Sequence, residues 1–374
     1  MKLKIKIVST LFGIALIFIL FIKDNSIADK ISFNGPWGVI RVYINSVVNP
    51  EGKQLSAASN TTAQNNKTFV VDKIEDDVPS ITIVTMFLNL GTLQKWSGTR
   101  TLDRYKQWMT TWGWLKNPVV AFFEDEEILQ YFKQIRTQQP AHRTVIVKIS
   151  RSQLGAFKNL ERIQQVYKNS SYSKLSPTMI NANYSCTMSA KYDALIFAMD
   201  HKLIRTKYLA WMDIGLFRNL IEDSMGQKNK NFTLEIPPDF NNSRIGFTEV
   251  APRHKMERLS PWDYIKNSYV WLAGGYVMGT QQVIRTFVKS YKSTVQELLK
   301  ANMSSTDEQI IGAMYSPEFR HKQELDIQGY SCVDGQFGLH NTDAQYFCLS
   351  YICKDTAEKA KNKTSILKGG TCEN

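Results

Sequence analysis

Three short apolar runs separated by amphipathic stretches dominate the middle of the chain. Ile81 to Leu88 reads ITIVTMFL, Pro118 to Phe123 ends in Glu124-Asp125, and Thr144 to Ile149 reads TVIVKI. None alternates apolar with polar residues, as a strand with one wet face would. Helical spacing follows each run: near Leu102 to Leu115, from Glu126 to Arg136, and around Leu154 to Tyr167. Strands apolar on both faces, each followed by a helix, predict an α/β fold with a mostly parallel central sheet and helices on both of its faces.

Composition narrows the function classes. With 374 residues, 43% of them hydrophobic and 21% charged, the chain can bury a sizeable core, which excludes wholesale disorder. The net charge of +12 is spread, with 46 Lys and Arg among 34 acids and no long like-charge run, so a solvated surface is expected rather than a nucleic-acid groove. A basic cleft for a phosphorylated ligand stays compatible with that balance. No repeat period is visible. The spacings of HExxH, paired CxxC, GxSxG and the P-loop are missing, which argues against metalloprotease, zinc-module, serine-hydrolase and kinase readings.

In parallel sheets ligands sit beyond the carboxyl ends of the strands, so the residues that close apolar runs are the first candidates. After a helix holding Lys191 to Met199, Tyr208 to Met212 (YLAWM) runs into Asp213, Ile214 and Gly215. A carboxylate at the sheet rim beside a small residue suits a divalent cation and a diphosphate, although such an Asp can also cap a helix or turn. Trp271 to Thr280 (WLAGGYVMGT) sets Gly274 and Gly275 after an apolar run, which permits close backbone approach to a ligand or marks a bulge. Ser305-Thr306 precedes Asp307 and Glu308 at the start of an amphipathic helix, where acids serve either chemistry or the helix dipole. Adjacent helix positions point about 100° apart, which disfavours a glycosidase using Asp307 and Glu308 as its carboxylate pair. Trp211, Trp262 and Trp271 are sugar-stacking candidates or core residues.

The N-terminus carries a targeting signal. Lys2, Lys4 and Lys6 precede an apolar stretch from Ile7 to Ile22, closed by Lys23 and Asp24. As a helix it spans roughly 24 Å, short of the ~30 Å hydrocarbon core unless lysines snorkel. Ser26-Ile27-Ala28 offers a cleavage site, but the length and the leading lysines favour an uncleaved signal anchor with a cytosolic N-terminus. Eight sequons, at Asn60, Asn66, Asn169, Asn183, Asn231, Asn241, Asn302 and Asn362, exceed the roughly three expected by chance and support secretory passage. Cys332, Cys348, Cys353 and Cys372 crowd the C-terminal end and read as two disulfides of undetermined pairing, with Cys186 left unpaired. The expected organisation is a cytosolic tail (1–6), an anchor (7–22), a polar stem (23–79), a catalytic domain (80–330) and a Cys-rich lumenal tail (331–374). That makes a single-pass type II protein of the Golgi or ER membrane, with secretion as the alternative.

The order of strand-end Asp, Gly-Gly strand and acidic helix start resembles the GT-A class of nucleotide-sugar glycosyltransferases. Arg100 to Asp125 (RTLDRYKQWMTTWGWLKNPVVAFFED), Arg143 to Ile149 (RTVIVKI) and Lys207 to Gly215 (KYLAWMDIG) resemble more closely the HtrL/YibB family, over about Ser80 to Pro317. The GT-A resemblance implies a Rossmann-related sheet, a nucleotide-sugar donor and a glycan, protein or lipid acceptor. It implies that Asp213 holds a divalent cation, Mn or Mg, with the donor diphosphate, that Gly215, Gly274 and Gly275 flank the donor, and that Asp307 or Glu308 acts as base. His340 is the candidate for a further metal ligand. Asp213-Ile214-Gly215 departs from the DxD pattern in having a single acid, which puts metal dependence in doubt and leaves a non-catalytic binding protein on the same scaffold as the alternative.

Overall fold

The computed structural model describes the backbone of residues 30–35, 38–44, 79–95, 98–222 and 231–369, and side chains within 79–95, 98–221 and 231–360. The expected tail and anchor, most of the expected stem, and Cys372 lie outside these residues. Among the described residues no helix is long and apolar enough to cross a membrane.

The chain enters as a hairpin, β1 (Lys30–Gly35) and β2 (Gly38–Ile44), inside the stretch expected as stem. Next come β3 (Ile81–Phe87), a small hairpin of β4 (Leu93–Lys95) and β5 (Gly98–Arg100), α1 (Leu102–Met109), β6 (Val119–Phe123), α2 (Glu126–Arg136), β7 (Thr144–Lys148) and α3 (Leu160–Lys168). The chain continues with α4 (Ala182–Asp200), β8 (Tyr208–Met212), α5 (Asn219–Glu222), β9 (Ile245–Glu249), α6 (Arg253–Met256), α7 (Pro261–Lys266), β10 (Leu272–Thr280), α8 (Gln281–Lys300), α9 (Asp307–Met314), β11 (Ile327–Tyr330) and α10 (Asn341–Gly369).

Among the described residues nine strands form one sheet in the order β1-β2-β7-β6-β3-β8-β10-β9-β11. Pairing is parallel along β7-β6-β3-β8 and between β9 and β11, whereas β10 runs antiparallel between β8 and β9. The seven strands from β7 to β11 are therefore mostly parallel, as the apolar runs predict. Successive residues of a strand point to opposite faces. Val84 and Met86 of β3, Val120 and Phe122 of β6, and Leu209 and Trp211 of β8 join one core with α3, α4, α7, α8 and α9. Ile81, Ile83, Val119, Ala121, Phe123, Ala210 and Met212 join the other, with α2, the turn at Trp112 and α10.

Helix ends follow local chemistry. Asp125 caps α2 by accepting from the Glu127 and Ile128 amides, with acids in the first turn and Lys133 and Arg136 in the last. Asn181 caps α4 through the Tyr184 amide.

The C-terminal segment departs from the expected tail. Phe347, Cys348, Leu349, Tyr351 and Cys353 of α10 are buried in the second core, so the helix is a structural layer of the sheet. Cys332 and Cys348 form a disulfide, Cα to Cα 5.4 Å. Cys353 corrects the expectation of two disulfides: it is a free, fully buried thiol whose Sγ lies 3.7 Å from Met278 Sδ. Its side chain points at β10, and burial pushes the thiol up to about 12. Cys186 is free and buried, as expected.

Candidate functional site: a charged cleft at the strand ends

From β3 the chain moves outward to β6 and β7 on one side, then crosses to β8 on the other, so the connections diverge at the carboxyl ends of β3 and β8. A crevice is expected there. It is found: a cavity of about 260 Å3 bears on Asp213, Gly274, Asp307 and Glu308, and adjoins a second, of about 150 Å3, lined by Leu88, Trp108, Trp211 and Gly215. Because β10 runs antiparallel to β8, its first residues lie at the same end as Asp213.

Asp213 leaves β8 with its N–H bonded to the Gly275 carbonyl at 2.8 Å, and its Oδ1 accepts Trp211 Nε1–H at 2.7 Å. Its side chain is 44% exposed, open to a ligand. Asp307 is instead sealed in, and its Oδ2 pairs with Lys191 Nζ at 2.9 Å. Lys191, on α4, also donates to the Gly274 carbonyl at 2.7 Å and lies 3.7 Å from Asp213 Oδ1. Glu308 Oε1 accepts the Gly274 N–H at 3.1 Å. Asp213 at the strand end and Asp307 at the helix start, far apart in sequence, thus meet at one buried ammonium, with Glu308 beside them on Gly274.

Burial sets the proton affinities. Glu308 is pushed up to about 7, by desolvation first and by the neighbouring Asp307 carboxylate second. Desolvation also raises Asp307, against the pull of Lys191. Burial works against the Lys191 charge, but Asp307 and Asp213 outweigh it and hold the ammonium above its ordinary value.

The glycines serve protein packing. A Cβ on Gly274 would lie 2.1 Å from Asp307 Oδ2, so only glycine lets that carboxylate reach Lys191 across the strand. A Cβ on Gly215 would meet the Trp108 ring at 2.7 Å, and one on Gly275 would meet Leu216 Cδ1 at 3.1 Å. Gly275 falls within the irregularity of β10 between Ala273 and Val277, the bulge that its sequence allowed.

Several residues of the cleft were not anticipated. Lys95 closes β4, Arg100 closes β5, and Arg218 follows Asp213 by a short turn; all three line both cavities together with Lys191. Arg218 pairs with Asp343 at 2.8 Å. Tyr184 from α4 and Asp343, Tyr346 and Phe347 from α10 complete the wall. Lys191 had one sequence signal, a lysine just before the apolar run Ala194 to Met199 of α4; the β4-β5 hairpin had none.

His340 is not brought to the cleft. Its ring is 65% exposed and its Nδ1 lies 3.6 Å from Asp334 Oδ2, outside the cleft lining, because α10 turns inward only after it and presents Asp343 instead. Trp271 and Trp211 are buried, Trp211 with its ring edge on Asp213, while Trp262 is exposed away from these cavities.

A divalent cation fits this donor set poorly. Among the described residues no group of three or more His, Cys, Asp and Glu is arranged to hold a metal ion. Hard cations take roughly six oxygen ligands. Asp213 is one carboxylate, and the Lys191 ammonium 3.7 Å away would repel an ion bound to it.

These features define an α/β protein with a cleft of interleaved cations and carboxylates at its strand ends. The chain belongs to the HtrL/YibB family, whose model, described as a bacterial protein of unknown function, matches residues 79–325. No curated protein matches the chain.

Proposed function

We propose that the cleft transfers a sugar from a nucleotide-sugar donor to a glycan, protein or lipid acceptor. The observation that carries the reading is the meeting of Asp213 and Asp307 at Lys191, with Glu308 on the amide of the same Gly274 whose carbonyl Lys191 holds, at the switch point of the sheet. The likeness to the GT-A class, in the order of its strand-end acid, glycine strand and acidic helix start, supports it.

Glu308 is the better base of the two helix-start acids. Its affinity near neutrality lets it be a carboxylate that accepts a proton under ordinary conditions, whereas Asp307 is held by Lys191. In an inverting transfer Glu308 takes the acceptor hydroxyl proton as that oxygen attacks the anomeric carbon. The anomeric C–O bond to the diphosphate breaks, and its electron pair departs with the nucleoside diphosphate. Asp213, exposed beside Gly215, accepts hydroxyls of the donor, and Lys191 is a positioning residue that holds Asp307 and Gly274.

Passage through the secretory pathway as a single-span membrane protein belongs to the same proposal. Exposed Asn169, Asn231, Asn241 and Asn302 and the Cys332–Cys348 disulfide support it. A mass shift on enzymatic deglycosylation of the expressed chain is expected; its absence rejects this part.

The test of activity is a panel of nucleotide sugars with purified protein lacking the stem. One donor should be consumed, and Glu308→Gln should slow transfer by ~10²- to 10⁴-fold while donor affinity holds within about twofold. Donor binding without consumption would leave a non-catalytic binding protein, and failure to bind any donor would reject the reading.

A further inference from the structure

We infer that the protein neutralises the donor diphosphate with its own cations, Lys95, Arg100 and Arg218, in place of a divalent metal ion. This rests on the nucleotide-sugar reading and goes beyond it by assigning the diphosphate subsite. The three side chains come from separate elements, β4, β5 and the turn after β8, and converge on both cavities. Trp108 organises the two guanidiniums: Arg100 lies 4.6 Å from its ring centre and Arg218 5.7 Å. The electron-rich ring attracts both and holds them on one side chain at the cleft, where Arg104 also lies 5.3 Å from the ring centre. A planar fork of donors matches phosphate oxygens, so orienting two of them across one cleft prepares an oxyanion site.

The acids of the cleft are engaged differently. Asp307 is tied to Lys191, and Asp343 takes both Arg218 at 2.8 Å and the Asn219 amide at 3.0 Å. Glu308 accepts the Gly274 amide, and Asp213 accepts the Trp211 indole. Among the described residues no group of three or more His, Cys, Asp and Glu is arranged to hold a metal ion, so the electrostatic relief that the departing diphosphate requires falls to the basic groups. Lys95 fits that role. Burial lowers its proton affinity, with Asp213 the first group opposing the shift, and a bound dianion would supply the missing compensation.

The experiment is calorimetric titration of the full chain with uridine, guanosine and adenosine diphosphates, in EDTA and again with manganese. At least one nucleotide should bind in EDTA, with its Kd changed less than about twofold by manganese. Arg100→Gln should weaken that binding tenfold or more. Because Arg100 is itself buried, Lys95→Met, at a half-buried site, provides a second variant with the same expected loss, and circular dichroism verifies the fold of each. Binding that vanishes in EDTA and returns with manganese overturns the inference while leaving the nucleotide-sugar reading intact. Binding in EDTA that neither folded variant weakens overturns it as well. If no nucleotide binds with or without manganese, the reading beneath it fails.

Discussion

Lys191 shows how one side chain organises the cleft and what its loss does. It is 2% exposed and neutralises an Asp307 carboxylate that is 3% exposed, so Lys191→Met leaves a buried charge without its partner. The expected cost is ~3–5 kcal/mol in urea unfolding. Adding Asp307→Asn should recover part of it, because the uncompensated charge goes with the partner; an additive double variant would refute the coupling. Glu308 makes a prediction of the opposite kind. Its affinity is raised from 4.5 to about 7, so between these values the folded chain binds more protons than the unfolded one. Its contribution to stability is therefore full below about pH 4.5 and is lost as pH rises through about 7. Glu308→Gln keeps an oxygen for the Gly274 amide but carries no charge. It should raise Tm at about pH 8 and flatten the fall in Tm across that window; an unchanged slope in scanning calorimetry would count against a desolvated, ionisable Glu308.

The elements were legible wherever one chemistry ran through a whole segment. The helix expected from Glu126 to Arg136 is α2 to the residue, because Asp125 caps it and charges of the right sign occupy both ends. Ile81 to Phe87, one residue short of the expected run, and Tyr208 to Met212 formed strands because both of their faces are buried and both meet helices. The helix expected from Leu102 to Leu115 is shorter in the structure: α1 stops at Met109 and a 3₁₀ turn follows, so that Trp112 can pack in the second core and donate its indole N–H to the Ile214 carbonyl at 2.8 Å. The segment between β11 and α10 depends on a staple. Cys332 and Cys348 are 16 residues apart and enclose Thr342, Asp343, Tyr346 and Phe347 of the cleft wall. Replacing both cysteines by alanine should cost ~3 kcal/mol, the entropy of a loop of that size, and weaken donor binding as the wall loosens. Scanning calorimetry with and without reductant measures the first effect; a Tm indifferent to reductant would show that the staple does not constrain this wall.

At the scale of the whole molecule, the matched region ends at Leu325 while the folded unit does not. The face of β9 and β10 that carries Phe247's neighbours Gly246 and Thr248 is closed by α10: Leu349 donates its N–H to Thr248 Oγ1 at 3.0 Å, and Cys353 lies on Met278. A chain ending at Tyr330 would expose Phe217, Phe232, Tyr276 and Met278 to water. We expect that truncation to lose cooperative unfolding and to bind a hydrophobic dye, at ~25 cal/mol for each Å2 of apolar surface uncovered. A soluble, cooperatively melting product would make α10 dispensable.

Sequence alone determined the alternating elements, the two-sided apolar strands and the candidacy of Asp213, Asp307 and Glu308, since these follow from local period and from where an apolar run stops. Tertiary structure decided which acid is open and which is sealed, because burial belongs to what packs around a residue rather than to its neighbours in the chain. It also brought Lys95, Arg100 and Arg218 to one cleft, turned His340 outward and left Cys353 unpaired beside Met278. Each of these outcomes depends on contacts between segments distant in sequence, whose relative positions are set only when the sheet closes on its two cores.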